Sequence, residues 1–260
     1  MSDIQQVQEF WDRQPCNVRY SDHPTGSREY FDQVEQRKLM VEPHILNFSE
    51  FSTWRGKSVL EIGCGLGTMA VNFVRLGARY TGVELSRQTL DLCRRRFDIY
   101  GLAGKFYEGN AEQLDQFLPA DKFDLVYSWG VIHHTPHPEL IVNQIKRYVK
   151  PNGTVKIMVY ATNSWKNYMI QAGLDQPEAQ WGCPIANTYT ESQLIDLLGP
   201  EFDIEHVEQD HIFPYEIEAY KRKEYVLQPW FQHMPKQMFR VLESNLGWHL
   251  MVTATFRGAT

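Results

Sequence analysis

The sequence contains no run approaching the 18 or so uninterrupted apolar residues that a membrane-spanning helix needs. Its opening stretch, "MSDIQQVQEFWDRQ", has no apolar core of the secretory kind, so no export signal is expected. Positive charge is also in short supply. Twenty-six Lys and Arg stand against 32 Asp and Glu, for a formal charge of −6 and a pI near 5.9. A nucleic-acid partner calls for a broad basic surface to neutralise phosphates, so none is expected. The four cysteines, Cys16, Cys64, Cys93 and Cys183, form no CxxC pair. They are too dispersed for a disulfide framework or a zinc site, and reduced thiols are the plain reading. These absences leave a soluble, cytoplasmic protein with no membrane and no nucleic acid among its partners. Its oligomeric state is open.

What is present is an alternation of strand and helix through the middle of the chain. "KSVLEIG" reads as a first parallel strand, and "TMAVNFVRLG" as a helix closed by Gly77. "ARYTGVELS" is a second strand and "RQTLDLCRRRFDIYG" a second helix ending at Gly101. "KFYEGNA" and "FDLVYSWGVIHH" read as strands three and four. "PELIVNQIKRYVK" is a helix, and "GTVKIMVY" a fifth strand after the turn "PNG". Elements of these lengths imply right-handed βαβ units and a mostly parallel sheet. Farther on, Thr190 caps a helix in "TESQLIDLLG". "FDIEHVEQDHI" and "WHLMVTATF" alternate as two more strands. The long segment 213–247 between them cannot be a tight loop and is expected to be a helical lid. A second insertion, 161–187, carries Trp165, Tyr168 and Trp181. The 260 residues suit a single domain: a cap over 1–55, a core over 56–160, and substrate-side insertions at 161–187 and 213–247.

The first strand runs into Glu61-x-Gly63-x-Gly65-x-Gly67. Glycines between a strand end and a helix start let backbone approach a ligand closely. A dinucleotide site uses GxGxxG, with a pyrophosphate on the helix N-terminus. Here the spacing is GxGxG, and Glu61 stands where a carboxylate would repel a pyrophosphate but attract an ammonium or sulfonium. Glu84 follows Gly63 by 21 positions, at the end of the second strand, where an acid can accept both hydroxyls of a ribose. A nicotinamide oxidoreductase shares that acid, but the loop spacing disfavours it.

"VLEIGCGLG", "GVELS", "GNAEQL" and "FDLVYSWGVIHH", in this order, resemble the successive motifs of class I S-adenosylmethionine-dependent methyltransferases over about Lys57 to Tyr160. The resemblance implies an α/β fold, Rossmann-like and doubly wound. Its seven-stranded sheet would be mostly parallel with a final antiparallel strand, below an N-terminal arm and helical lid insertions. It implies S-adenosyl-L-methionine as cofactor and in-line methyl transfer to a small-molecule acceptor, releasing S-adenosylhomocysteine. Glu61, Gly63, Cys64, Gly65 and Gly67 would surround the methionine part of the cofactor. Glu84 would take the ribose and Leu85 the adenine. Asn110 stands where the family has an aspartate for the adenine amino group. An amide oxygen can still accept there, without charge assistance. Ala111 and Glu112 would continue that wall, with Ser128 and Trp129 beneath the cofactor. A protein or carrier-bound acceptor, or a non-catalytic cofactor-binding module, are the alternatives.

In "HHTPH", His133 and His134 are candidate catalytic residues, to remove an acceptor proton or orient the acceptor; the competing reading is a buried, hydrogen-bonded histidine and a loop residue. Adjacent strand residues face opposite ways, which disfavours a metal there, and no metal is expected. The N-terminal piece is too polar for a continuous core element and reads as an arm. Trp11, Arg19, Tyr20, Tyr30 and Phe31 are its candidates for lining the pocket. Tyr160, Phe213 and Tyr215 are further substrate-side candidates, and Tyr220 lies in the same aromatic stretch, six aromatics in 19 residues. Those aromatics serve equally well as anchors for the lid. Arg94, Arg95 and Arg96 fan around the second helix and read as a solvated face.

Overall fold

A computed structural model describes residues 3–174 and 182–258. Trp181 lies outside the described residues. One seven-stranded sheet organises the chain, in the order β3-β2-β1-β4-β5-β7-β6. β1 (Ser58–Ile62), β2 (Arg79–Glu84), β3 (Lys105–Glu108), β4 (Phe123–Trp129) and β5 (Val149–Tyr160) run parallel. β7 (His249–Phe256) is antiparallel to both β5 and β6 (Phe202–Asp210). The Rossmann-like arrangement implied by the motifs is therefore present, and its final strand is the antiparallel one.

The helices α4 (Thr68–Arg75), α5 (Arg87–Tyr100) and α6 (Pro138–Tyr148) cross between the parallel strands. α5 shows how local sequence sets such an element. The Ser86 side chain accepts the Thr89 N–H at its start, and Gly101 takes the left-handed conformation at its end, φ 64°. Leu90, Cys93 and Phe97, at helical spacing, are fully buried on the sheet. Because β2 and β4 both pair with β1, the strand order reverses there, and that reversal opens a crevice at the carboxyl ends.

Three expectations are corrected. The N-terminal region is more than a polar arm. α1 (Asp3–Arg13) is followed by α2 (Arg28–Val41) and α3 (His44–Ser49), and Tyr30, Phe31 and Val34 of α2 are buried with Leu66 in a small core of their own. Arg96 is not on a solvated face. Its side chain is fully buried, ion-paired with Glu35 of α2, and its Nη1 donates to Thr68 Oγ1 at 3.1 Å and to the Leu66 carbonyl at 3.3 Å. The apolar part of α2 hides this charge, and the pairing ties α2 and α5 to the end of the glycine loop. β4 stops at Trp129, so His133 and His134 sit in a short 3₁₀ turn, Ile132–His134, after the left-handed Gly130 (φ 76°) breaks the strand.

Where described, both insertions contain helices joined by irregular segments. α7 (Trp165–Gln171) follows β5, and α8 (Glu191–Leu198) carries a capping box between Thr190 and Gln193. α9 (Ile217–Lys221), α10 (Pro229–Gln232) and α11 (Lys236–Leu246) occupy 213–247. Among the described residues no helix is long and apolar enough to cross a membrane.

Candidate active site

A cavity of about 310 Å³ lies at the carboxyl ends of the strands. Of the glycine-loop candidates, Glu61, Gly63, Cys64 and Gly65 border it, as do Glu84, Leu85, Asn110, Ala111 and Trp129. Gly63 has φ 78°, and a Cβ on it would meet Val131 Cγ2 at 2.1 Å. Gly65 differs. Its φ is 53°, yet a Cβ there would meet no protein atom within 4 Å. The first glycine is thus demanded by the protein's own packing, while the second keeps space clear.

Glu84 fastens the loop from across the crevice. Its Oε2 accepts the Gly65 N–H at 2.9 Å and its Oε1 the Ser86 N–H at 3.0 Å. Each oxygen has a further lone pair, as a carboxylate can accept about four hydrogen bonds. Burial pushes its carboxyl up from the usual range, against three backbone hydrogen bonds that pull it down. Glu61 is more extreme. It is 2% exposed, accepts from Tyr80 Oη at 2.5 Å, and burial drives it up to about 8. An uncharged carboxyl at neutral pH, in reach of a cavity, is primed to ionise against an arriving cation.

Gly67, Glu112 and Ser128 do not border the cavity. A Cβ on Gly67 would meet Cys93 Sγ at 2.6 Å, so its role lies in packing the start of α4. Glu112 is buried and accepts the His137 N–H at 3.0 Å. Ser128 is fully buried within β4. Asn110 caps the following 3₁₀ turn, its Oδ1 accepting the Glu112 N–H at 3.0 Å.

The two histidines separate. His133 does not border the cavity. It is fully buried against Tyr160, ring centroids 3.7 Å apart, and neither ring nitrogen has a hydrogen-bond partner among the described residues. Burial holds its imidazole neutral, well below the usual pKa. His134 does border the cavity, beneath the edge of Trp11. Its Nδ1 lies 2.7 Å from the Ile185 carbonyl, which can only accept, so Nδ1 carries the proton and Nε2 the lone pair. Burial lowers its pKa to about 4.

Of the substrate-side candidates, Trp11, Arg19, Tyr20, Tyr160, Phe213 and Tyr215 border the cavity. Tyr30 does not; it is 1% exposed and spends its hydroxyl on the Val18 carbonyl. The arm meets the lid directly: the Arg37 guanidinium lies 3.3 Å from the Tyr20 ring centroid and 4.9 Å from that of Tyr220.

Sequence reasoning missed a second group on the cavity wall. Lys38, Glu42, Lys166, His211 and His249 all border it. They come from α2, the connection after it, α7, the end of β6 and β7, so no sequence window holds them together. Burial lowers Lys166 to about 7. Burial alone would raise Glu42, but Lys38, 2.6 Å away, together with neighbouring His211, holds it down to about 2.

The comparisons with known proteins agree with this architecture. The family model described as a methyltransferase domain matches residues 34–209. A ubiquinone biosynthesis O-methyltransferase of Actinobacillus pleuropneumoniae is 29% identical over 120 residues, covering 44% of this chain and 50% of that one. The enzyme of the same description from Paraburkholderia phytofirmans is 38% identical over 100 residues, 38% of this chain and 43% of that one. The chain thus spans about half the length of the curated relatives it matches. Among solved structures, magnesium protoporphyrin IX methyltransferase from Synechocystis, with bound SAH, superposes at a TM-score of 0.62 and 14% identity, covering 98% of this chain and all of that one. The cyclase SpnF superposes at 0.59 and 17%, covering 98% and 96%. Likenesses at that identity carry the fold alone. The family model covers well over half of the sequence, and the chain belongs to the methyltransferase domain family.

Proposed function

We propose that this protein is an S-adenosylmethionine-dependent methyltransferase acting on a small-molecule acceptor. The observation that carries the reading is a single cavity bordered on one side by the glycine loop with Glu61 and Glu84 and on another by the aromatic groups of the arm and lid. In this reading residues 56–160 hold the cofactor, and the cap and insertions hold the acceptor.

The residues present fit the cofactor. The clear space at Gly65 admits a ligand against bare backbone. Glu84 keeps lone pairs for two ribose hydroxyls, and Glu61 suits the ammonium of the methionine part. Leu85 and Ala111 supply apolar contact for the adenine, and Asn110 Oδ1 keeps a second lone pair for its amino group. S-adenosylmethionine supplies an electrophilic methyl group on a sulfonium and departs as S-adenosylhomocysteine. The protein's part is alignment and exclusion of water. Trp11, Tyr160, Phe213 and Tyr215 give the acceptor an apolar, aromatic seat. Where the acceptor atom carries a proton, His134 is the better placed of the two histidines: the residue borders the cavity, and its Nε2 is an unprotonated acceptor, buried without a hydrogen-bond partner among the described residues. The O-methyltransferase description of the relatives supports an oxygen acceptor. The modest volume favours a small acceptor over a protein-borne one.

The test is thermal stability in the presence of S-adenosylmethionine, S-adenosylhomocysteine or NAD. The two sulfur nucleotides should stabilise the fold by roughly 2.7 kcal/mol at a hundredfold excess over Kd, and Glu84→Ala should abolish the gain. Stabilisation by NAD alone would overturn the proposal.

A further inference from the structure

In the group missed by sequence reasoning, His249 lies beside the Glu42 carboxylate and is bonded to a further histidine, His44, that does not itself border the cavity. His44, at the start of α3, presents Nε2 2.9 Å from Nδ1 of His249 at the start of β7. That Nδ1 is 4.0 Å from Glu42 Oε2. One donor atom from each of Glu42, His44 and His249 lies within 4.8 Å of the other two. His44 is 8% exposed and His249 5%. Trp129 packs on both rings, 5.5 Å and 5.3 Å between centroids, and the His211 ring stacks on His249 at 4.6 Å.

We propose that Glu42, His44 and His249 form a binding site for a zinc-like divalent metal ion on the wall of the cavity. Two imidazoles and a carboxylate are the donor set that borderline ions of this class take, with one position left for water or substrate. Bonds of about 2.0–2.2 Å in a tetrahedron put neighbouring donors a little over 3 Å apart, which needs small adjustments from the distances found. The 2.9 Å contact between the rings places one proton on one of the two facing nitrogens. The one proton between the rings moves to the outer nitrogen of the donating imidazole when an ion takes its place.

Two further features fit. Glu42 Oε2 is buried with no hydrogen-bond partner among the described residues, while Oε1 holds Lys38 at 2.6 Å. One oxygen is thus oriented from behind and the other left facing the histidines, which is how carboxylate ligands are commonly steadied. Glu42 and His249 border the cavity, so the open position faces the space assigned to the acceptor. Resting on the methyltransferase reading, the ion would bind and acidify an acceptor hydroxyl or thiol, whose proton would leave to solvent. The ammonium groups of Lys38 and Lys166, and the neighbouring His211, work against a cation, so the affinity sought is that of an exchangeable site.

The protein is stripped with chelator, then titrated with Zn²⁺ by calorimetry and with Co²⁺ by visible absorption. The expected result is one equivalent bound, with Co²⁺ bands of a low-coordinate nitrogen and oxygen site and no sulfur charge-transfer band. Glu42→Gln and His249→Gln should each weaken binding about a hundredfold. His233→Gln, on an exposed histidine, and Cys16→Ser should leave it unchanged. Absence of stoichiometric uptake, uptake equal in wild type and Glu42→Gln, or uptake lost in Cys16→Ser would each overturn the proposal. Glu42→Gln keeps the side-chain shape and decides the matter even where His249→Gln fails to fold. S-adenosylhomocysteine binding measured on the same samples separates the two readings. Its loss in wild type sinks the methyltransferase assignment and leaves the metal site standing.

Discussion

The glycine-loop wall of the cavity and the wall that carries the histidine cluster are built by different means. The first is made mostly of backbone and comes from one stretch of chain, β1 to the end of β2, to which Glu61 and Glu84 add two carboxyl groups. The second is made of side chains delivered by the arm, α2, α7, the end of β6 and β7. A wall of backbone recognises what is constant in its ligand, because main-chain geometry is fixed by the fold. A wall of side chains from separate elements can be changed one residue at a time without disturbing the sheet, which is where acceptor choice belongs.

The comparison breaks most visibly at the two glycines of the loop. Gly63→Ala brings a Cβ into Val131 and forces an alanine to φ 78°, so strain and overpacking should together cost about 3 kcal/mol, with cofactor binding lost as well. Gly65→Ala faces open space and pays only the left-handed backbone, about 1 kcal/mol, yet its methyl enters the region assigned to the cofactor. Melting curves with and without S-adenosylhomocysteine check both. A Gly65→Ala protein that binds as wild type would move the cofactor off this wall.

Glu61 sharpens the same wall through pH. Its folded-state pKa is raised to about 8 from an ordinary 4.5, so between those values the folded ligand-free protein holds a proton that the unfolded chain does not. Stability from this group is full below about 4.5 and is lost as pH rises through 8, at up to about 1.4 kcal/mol per pH unit. Glu61→Gln should remove that slope, read as the difference between the two proteins' urea midpoints across the window. Equal slopes would mean that Glu61 is ionised in the free protein.

How far each wall was legible follows from how it is built. The glycine spacing, Glu84 and the alternation of elements are local features of the sequence, so the parallel strands and the loop could be anticipated from β1 through β5. That "WHLMVTATF" is a strand was legible in its alternation, while its antiparallel direction came from the family resemblance. Glu42, His44, His211 and His249 are separated by more than 200 residues at the extremes, and their meeting depends on the start of α3 reaching the start of β7. Arg96 misled because a charged residue on an amphipathic helix is ordinarily solvated. Here Glu35, on an element read as an arm, neutralises it in the interior. His133 misled because the strand was read through Gly130, whose left-handed conformation ends it.

On the second wall the expected effects are smaller, since no one side chain carries it. Tyr215 borders the cavity and packs edge-on against Phe213 and Tyr225, at 5.6 Å and 5.4 Å. Tyr215→Ala should raise the KM for the acceptor by about tenfold, the worth of one aromatic contact, and leave the S-adenosylmethionine Kd unchanged. A change in cofactor Kd with acceptor KM held constant would reverse the assignment of the two walls.

The smallest effect distinguishes the paired histidines. His133 lies behind the cavity, and its two nitrogens are buried without partners among the described residues, each a desolvated polar atom that costs about 1–3 kcal/mol. His133→Leu removes that cost and gives up the stacking on Tyr160, worth about 0.5–1.5 kcal/mol. The balance predicts a melting temperature equal to or slightly above that of wild type, with kcat little changed. His134→Gln should instead lower kcat, because the lone pair at Nε2 is exchanged for an amide with no useful basicity. If His133→Leu abolishes turnover in a folded protein, the ring reaches the acceptor in the bound state, and the line between the histidine that supports the wall and the one that forms it must be redrawn.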